Sequence, residues 1–159
     1  MKGAEAIQFP VKLTEWGPVI SQIVKTNRNF IMHWGFFNEN NFIIESFYDL
    51  NNANKIENFH SALAKGSAPG LNISWADKEG NIAWKMFGDF PRRKHNSWSA
   101  AELKAGESPY EGIWPKEENP SMLNPKQGFI LSANQKPPVQ IDETKIQGYW
   151  DSSERYDSL

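Results

Sequence analysis

Residues 71–87, LNISWADKEGNIAWKMF, restrict the possible folds of this chain more than any other stretch. Large apolar side chains occupy every second position in two runs: Leu71, Ile73 and Trp75, and then Ile82, Trp84 and Met86. A period of two places these side chains on one face of a β-strand. The residues between the runs, 77–80, are Asp-Lys-Glu-Gly, which are typical of tight turns. The stretch therefore predicts an antiparallel hairpin with an apolar face.

Upstream of the hairpin, the apolar spacing changes to three and four residues. The positions that define it are Ile43, Phe47 and Leu50 in one run and Ile56, Phe59 and Leu63 in the next. Side chains at this spacing share one face of a helix, so two helices are predicted, the second from about residue 54 to residue 65. Gly66 is expected to end the second helix.

Shorter segments give weaker patterns. Residues 7–13 alternate apolar and polar side chains, which predicts a strand with one wet face, and Pro10 favours an edge position. A turn with a short strand is predicted at 16–21, and a further strand at 29–34. The tail near 149–150 is expected to be helix or turn.

Residues 87–124 are rich in Pro, Gly and Asn, and they are predicted to form a long loop. The basic run at 92–95 lies near its start, and we interpret that run as solvated loop, with anion binding as the alternative. The pair Glu117-Glu118 is interpreted as solvated.

The composition is that of a globular chain. The 159 residues suit one domain, and 39% hydrophobic residues are enough for a core, so disorder of the whole chain is excluded. The net charge of −2 forces no basic face, so nucleic acid is not an expected partner. Cysteine is absent, which excludes disulfides and thiolate chemistry. No apolar run approaches the about 20 residues that span a bilayer, and no signal peptide is evident, so no membrane partner is expected.

Several common catalytic arrangements are missing from the sequence. No serine lies in a GxSxG elbow, and His33, His60 and His95 form no recognisable triad order. We interpret His33 and His60 as structural residues. Neither an HExxH motif nor a calcium-binding EF-hand loop is present.

The apolar run at 129–131 ends in Ser132-Ala133-Asn134-Gln135 and is predicted to be a buried strand. Ile130, Ser132 and Asn134 would share one face of it. A buried asparagine must find hydrogen-bond partners. Asn134 could hold the following turn through its own backbone, or its amide could point into a cavity as an oxyanion donor.

Four stretches follow one another in a specific order: WGPVIS, APGLNISWADKEGNIAWKMFGDFPRR, YEGIWPKEENPSMLNPKQGFILSANQKPP and GYWDSSERY. Through them, roughly residues 10–156 resemble the penicillin acylase (penicillin amidase) family of N-terminal nucleophile hydrolases. The resemblance implies an α+β fold, with an antiparallel sheet and helices as part of an αββα sandwich. It also implies a precursor that cleaves itself into a small and a large chain. A serine at the new N-terminus of the large chain then attacks the amide, with its own α-amino group as base.

The resemblance assigns roles to four residues of this chain. Asn134 matches the carboxamide that donates to the oxyanion, and Arg155 matches an arginine that supports this site. Leu71 matches a residue that lines the acyl pocket. Phe47 matches an aromatic residue of the pocket wall.

The chain also departs from the family pattern. It opens Met1-Lys2 without the nucleophile, so residues 1–159 are expected to be one internal fragment of the large chain, with no separate domains. Gln135 stands where the family often repeats Asn. No cofactor is expected here. Calcium is possible in the larger protein, although Asp142 and Glu143 are out of register with the expected ligand.

Three further expectations follow from the resemblance. The partners are a small N-acyl amide substrate and the remainder of the precursor, and the location is periplasmic or extracellular. The isolated chain is expected to hydrolyse no amide, because it lacks the attacking atom. The alternative is a carbohydrate-binding module without catalytic activity, since the seven tryptophans could stack on sugars. An exposed flat row of tryptophans, with Asn134 far from Arg155, would favour that alternative, whereas convergence of Asn134 and Arg155 at one end of a sheet would favour the amidase.

Overall fold

The computed structural model describes residues 3, 6, 8–37, 40–94, 100–137, 150 and 152–158. The chain divides into two compact units, Met1–Glu39 and Asn40–Leu159, and each is described by itself. That the chain is one undivided fragment of a larger core stays a prediction.

In the first unit, a tight antiparallel pair is formed by β1 (Leu13–Thr14) and β2 (Gly17–Pro18). Gly17 adopts a φ of +130°, and a Cβ at this position would lie 2.2 Å from the carbonyl oxygen of Met32. Only glycine fits this close approach of two backbone segments. A short 3₁₀ helix follows at Gly35–Phe37.

Two strand predictions for the first unit, at 7–13 and at 29–34, are mostly wrong for the residues that the structure describes, although Leu13 lies in β1. Residues 8–12 join no strand, and Phe9 is 74% exposed. The predicted strand at 29–34 is reduced to a single bridge between Val19 and Ile31. Alternating apolar residues give a stable strand only where a partner strand and a core lie beside them.

The second unit begins with two helices, α1 (Ile43–Asn52) and α2 (Ile56–Leu63), as the apolar spacing predicts. They pack together, and the Ser46 hydroxyl donates to the carbonyl oxygen of Ala62 at 2.8 Å. Ser46 is fully buried, so this hydrogen bond satisfies its polar group where water has no access.

The predicted hairpin is confirmed as β3 (Leu71–Ala76) and β4 (Ile82–Phe87), which pair antiparallel. The Asp77 carboxylate organises its turn, because it accepts hydrogen bonds from the backbone N–H groups of Glu79 and Asn81 and from the Asn81 amide. An aspartate that binds the backbone a few residues ahead is a common turn device.

The prediction of a long loop at 87–124 is wrong in part. This region contains β5 (Pro91–Arg93), β6 (Tyr110–Ile113), a 3₁₀ helix at Lys116–Glu118 and β7 (Ser121–Leu123). β5 pairs with β6, and β7 adds to β4 in a three-stranded antiparallel sheet of order β3-β4-β7. Such short strands carry little periodicity of their own, and their partners are distant in sequence.

The basic run is correspondingly part strand. Arg92 and Arg93 lie in β5, and the Arg92 guanidinium sits 4.8 Å from the ring centre of Trp114. A guanidinium over an indole face is a favourable cation–π arrangement. His95 lies outside the described residues.

Strand β4 is the centre of the second unit, because both of its faces are covered. Ala83 and Phe87 join Phe59 and Leu63 of α2 in one buried cluster. Trp84 and Met86, on the opposite face, pack against a second group of partly buried side chains: Phe90, Met122, Ile130 and Trp150. The mixed α+β class, with antiparallel strands and helices, is confirmed.

Candidate active site

Asn134 has a left-handed backbone conformation, which is unusual for a residue other than glycine. Its φ is +67°, in the left-handed region that asparagine tolerates better than most residues. The neighbours Ala133 and Gln135 are buried, at 4% and 6% exposure, while Asn134 is exposed. The backbone therefore turns this one carboxamide outward between two anchored residues.

The prediction of a buried strand leading to Asn134 is wrong. Residues 129–134 belong to no strand of the described sheets, and Phe129 is 56% exposed. Ile130 is held by its side chain, which packs on the cluster around Trp84. The apolar run thus marks contact with a sheet face rather than a place within the sheet.

Arg155 lies in the short helix α3 (Glu154–Asp157), and its Nη1 donates to Oδ1 of Asn134 at 3.4 Å. Because a guanidinium only donates, the amide oxygen must face it. The Nδ2 group, which carries two N–H donors, is then turned away from the cation. Two of the four residues that the resemblance singled out are thus brought together by the fold.

Phe47 and Leu71 meet around a third residue, Phe87. The Phe47 ring lies edge-on to the Phe87 ring, with centroids 6.3 Å apart. Leu71 is the direct cross-strand partner of Phe87 in the β3–β4 ladder. Leu71 also packs against the buried cluster that contains Phe87, and Phe47 stays half-exposed. Asn134 and Arg155 therefore contact each other, whereas Phe47 and Leu71 are each a neighbour of Phe87.

A cavity of about 410 Å³ was not anticipated from the sequence. Its lining comes from the turn end of the β3–β4 hairpin and from the segment before Asn134: Ser74, Trp75, Ala76, Ile82, Ala83, Gly128, Phe129 and Ile130. Its volume is in the range of small-molecule sites, and its walls are mostly apolar. The only sequence signal for it is the apolar run at 129–131, which was interpreted as strand.

A second cavity, of about 250 Å³, holds a group of titratable side chains, among them His60, Lys85 and Glu117. Partial burial, followed by the charge of Lys85, lowers the pKa of His60. Partial burial also lowers the pKa of Lys85, and the nearby Glu117 carboxylate opposes that effect. The side chain of His60 is exposed on α2 and its ring lies edge-on to that of Phe59.

No group of three or more His, Cys, Asp or Glu side chains that could hold a metal ion occurs among the described residues. Asp142 and Glu143, the acidic residues nearest the expected calcium position, lie outside them. Within the same described part of the chain, every helix is too short or too polar to cross a membrane.

The tryptophans do not form a sugar-stacking platform among the residues that the structure describes. Of the six tryptophans in those ranges, only Trp34 is exposed. Trp84 is buried, and Trp75 stacks on Phe59 with ring centroids 5.8 Å apart. Asn134 also contacts Arg155, so both conditions for the carbohydrate-binding alternative fail.

This α+β unit, in which an arginine contacts an exposed carboxamide, is similar to known acylases. The sequence matches the family described as penicillin amidase over residues 1–159, and the chain belongs to that family.

Two curated relatives illustrate the range of the family. The acyl-homoserine lactone acylase QuiP of Pseudomonas fluorescens is 28% identical over 117 residues, which are 73% of this chain and 14% of that protein. Penicillin G acylase of Escherichia coli is 26% identical over 105 residues, 64% of this chain and 12% of that protein. The chain thus spans about one seventh of the first of these relatives and less of the second.

The fold is also that of a solved acylase. The thermostable penicillin G acylase from Alcaligenes faecalis matches all of this chain with a TM-score of 0.78 and 22% identity. The match covers 29% of the acylase chain. At this identity the similarity establishes the fold.

Proposed function

We propose that this chain is the part of an N-terminal nucleophile amidase that supplies its oxyanion hole and part of its acyl pocket. The substrate class is an N-acyl amide, penicillin-like or of another kind. The family relatives are hydrolytic acylases, which supports the reaction type. The remainder of the precursor would supply the nucleophilic serine.

The observation that carries the proposal is the 3.4 Å contact between Nη1 of Arg155 and Oδ1 of Asn134. With Oδ1 facing the guanidinium, Nδ2 would be the donor that a substrate oxygen meets. The adjacent cation also polarises the amide, which strengthens its N–H groups as donors. A donor that is oriented before the reaction stabilises the developing oxyanion without a reorganisation cost.

The steps of the proposed reaction are those that the family resemblance implies. The serine hydroxyl would add to the amide carbonyl while its own α-amino group takes the proton, and the carbonyl oxygen would become an oxyanion at Asn134 Nδ2. The C–N bond would then break, and the proton would pass to the departing amine. Water would hydrolyse the resulting acyl-enzyme through the same oxyanion site. Loss of one such donor costs about 3–4 kcal/mol of transition-state stabilisation.

The apolar pair Phe47 and Leu71 is proposed to contribute to the acyl pocket. Phe47 is 40% exposed although it is a large aromatic residue, so part of its ring is available to another apolar group. Leu71 supports Phe87 from the neighbouring strand, and Phe87 in turn contacts the Phe47 ring. The acyl chain of the substrate would lie against this aromatic edge.

Asn134→Ala in the complete gene product tests the proposal. With a chromogenic N-phenylacetyl anilide and a long-chain N-acyl anilide as substrates, kcat is expected to fall about 10²–10³-fold, with KM little changed. Asn58→Ala, an exposed change on α2, is the matched control and should keep full activity. An Asn134→Ala enzyme with unaltered kcat on every amide that the parent cleaves overturns the proposal.

The isolated 159-residue chain supplies a second test. It is expected to hydrolyse neither anilide, because the nucleophile must come from the remainder of the precursor. Turnover above the buffer rate would show that this chain has its own attacking group. A periplasmic or extracellular location stays a prediction, which fractionation of the producing cells can test.

A further inference from the structure

We propose that Gln135 is a positioning residue that holds Asn134 in its left-handed, outward-facing conformation. The proposal rests on the proposed function of Asn134. It adds a residue whose role is to set the geometry of the oxyanion donor without touching the substrate.

The Gln135 side chain closes a small ring over Asn134. Its Oε1 accepts a hydrogen bond from the backbone N–H of Ala133 at 2.7 Å. Donor and acceptor residues flank Asn134 on either side, so the bond spans the peptide units that set its backbone angles. Ala133 and Gln135 are both at least nine-tenths buried, so water competes poorly for either group.

The backbone angle that this ring spans is unfavourable by itself. Asn134 has a φ of +67°, which costs an L-residue energy unless the surroundings enforce it. In an extended conformation, side chains of successive residues point to opposite faces, and the carboxamide would lose its present direction. The Gln135 bond and the Arg155 contact therefore act on different parts of Asn134: the first on its backbone and the second on its amide.

Residue 135 must meet two requirements under this proposal. It needs an acceptor atom that can reach back to the N–H two residues before it, and it needs an uncharged side chain for a site that is 6% exposed. Glutamine meets both, and so would other carboxamides of suitable reach. Methionine has nearly the same length and shape but offers only a weak sulfur acceptor.

The test is a double-mutant cycle in the complete gene product with Gln135→Met and Asn134→Ala. Gln135→Met is expected to lower kcat on the N-phenylacetyl anilide roughly 10–100-fold, with KM changed less than about twofold. In the Asn134→Ala background the same change should have no further effect on kcat, because Gln135 acts through Asn134. Gln135→Asn, which retains an uncharged carboxamide acceptor, is expected to recover part of kcat.

The outcomes separate this proposal from the function on which it rests. If Asn134→Ala keeps full activity, the proposed function fails. If Asn134→Ala loses activity but Gln135→Met does not, or if their effects on kcat multiply, only the positioning role fails. A measurement on the unmutated protein covers the case in which Gln135→Met does not fold: the Ala133 amide should exchange with deuterium at least about tenfold more slowly than an unstructured amide. Exchange at the unstructured rate overturns the proposal.

Discussion

The guanidinium of Arg155 donates to the amide oxygen of Asn134 although the two residues lie 21 positions apart in the chain. The contact ties the short helix α3 to the end of the segment that follows β7. Both side chains are exposed, so the pair is accessible to a substrate that the complete protein binds. The chemistry proposed for this chain depends on the direction that this contact gives to one carboxamide.

Replacing the guanidinium should uncouple the amide from its support. In the complete gene product, Arg155→Met is expected to lower kcat on an amide substrate by about tenfold or more, because the Asn134 amide can then rotate. Arg155→Lys should recover part of that loss, since an ammonium can still donate to Oδ1 but lacks the planar fork. Steady-state kinetics of the three proteins measure the effect, and equal unfolding temperatures show that the variants are folded. Equal kcat for all three proteins contradicts the prediction.

Gly66 should tolerate no side chain. A Cβ at this position would lie 2.1 Å from Cζ of Phe87, which is one of the fully buried core residues. Gly66→Ala is therefore expected to lower the free energy of unfolding by about 1–3 kcal/mol, as overpacking does. Gly70→Ala is the matched control, because the nearest atom to its added Cβ is 4.0 Å away. Urea unfolding of both variants should show a loss for the first and a change within about 0.5 kcal/mol for the second.

Asn119 should be required as a hydrogen-bond donor. Its buried Nδ2 donates to the carbonyl oxygens of Met86 at 3.2 Å and Gly88 at 2.9 Å, at the end of β4. Asn119→Asp keeps the shape but replaces the donor with an acceptor. It is expected to cost at least about 1–3 kcal/mol of unfolding free energy. The exposed Asn54→Asp serves as its control in the same denaturant series. Equal stability of the two variants argues against the bond.

His60 should titrate under the influence of two opposite charges. Burial and Lys85 lower its pKa below the usual histidine value of 6.5, and Glu57 opposes them. Lys85→Met should therefore raise the pKa of His60, and Glu57→Gln should lower it further. NMR titration of the imidazole proton resonances measures both. Movement of the two values in the same direction contradicts the assignment.

The lowered pKa of His60 also sets the sign of its effect on stability. Between its folded value and 6.5, the unfolded chain binds more protons at this residue than the folded chain does. Its contribution to stability is therefore complete above pH 6.5 and is lost as the pH falls through the lowered pKa. Unfolding experiments at pH 7 and pH 5 should show a smaller difference for His60→Gln than for the parent. A larger difference for the variant would have the wrong sign.

Secondary structure was predicted well where one stretch carried its own periodicity. The helix that contains Phe59 and the hairpin that contains Trp75 have regular apolar spacing along their whole length. Local geometry alone therefore assigns them. Strands β5, β6 and β7 were missed because each has only three or four residues. Their hydrogen bonds go to partners far along the chain, which no local pattern contains.

For the candidate site, the order of motifs identified the residues, while their geometry came only from the structure. Asn134 and Arg155 were singled out by resemblance, and the fold places them in contact. The interpretation of 129–134 as a buried strand failed because an apolar run is equally suited to packing on a sheet face, as Ile130 does. The role proposed for Gln135 had no sequence signal, since a glutamine followed by one lysine and two prolines is typical of a solvated turn.

The sequence by itself determined the helix pair, the central hairpin and the family, and it singled out Asn134 and Arg155 as candidate site residues. Tertiary structure alone decided that β4 is covered on both faces, that Asn134 turns outward at a positive φ and that Arg155 reaches its amide oxygen. The physical reason is the range of the interactions involved. Periodicity and turn chemistry act over a few neighbouring residues, so they are visible in the sequence. A contact between residues 21 positions apart forms only when packing has fixed the path of the backbone between them.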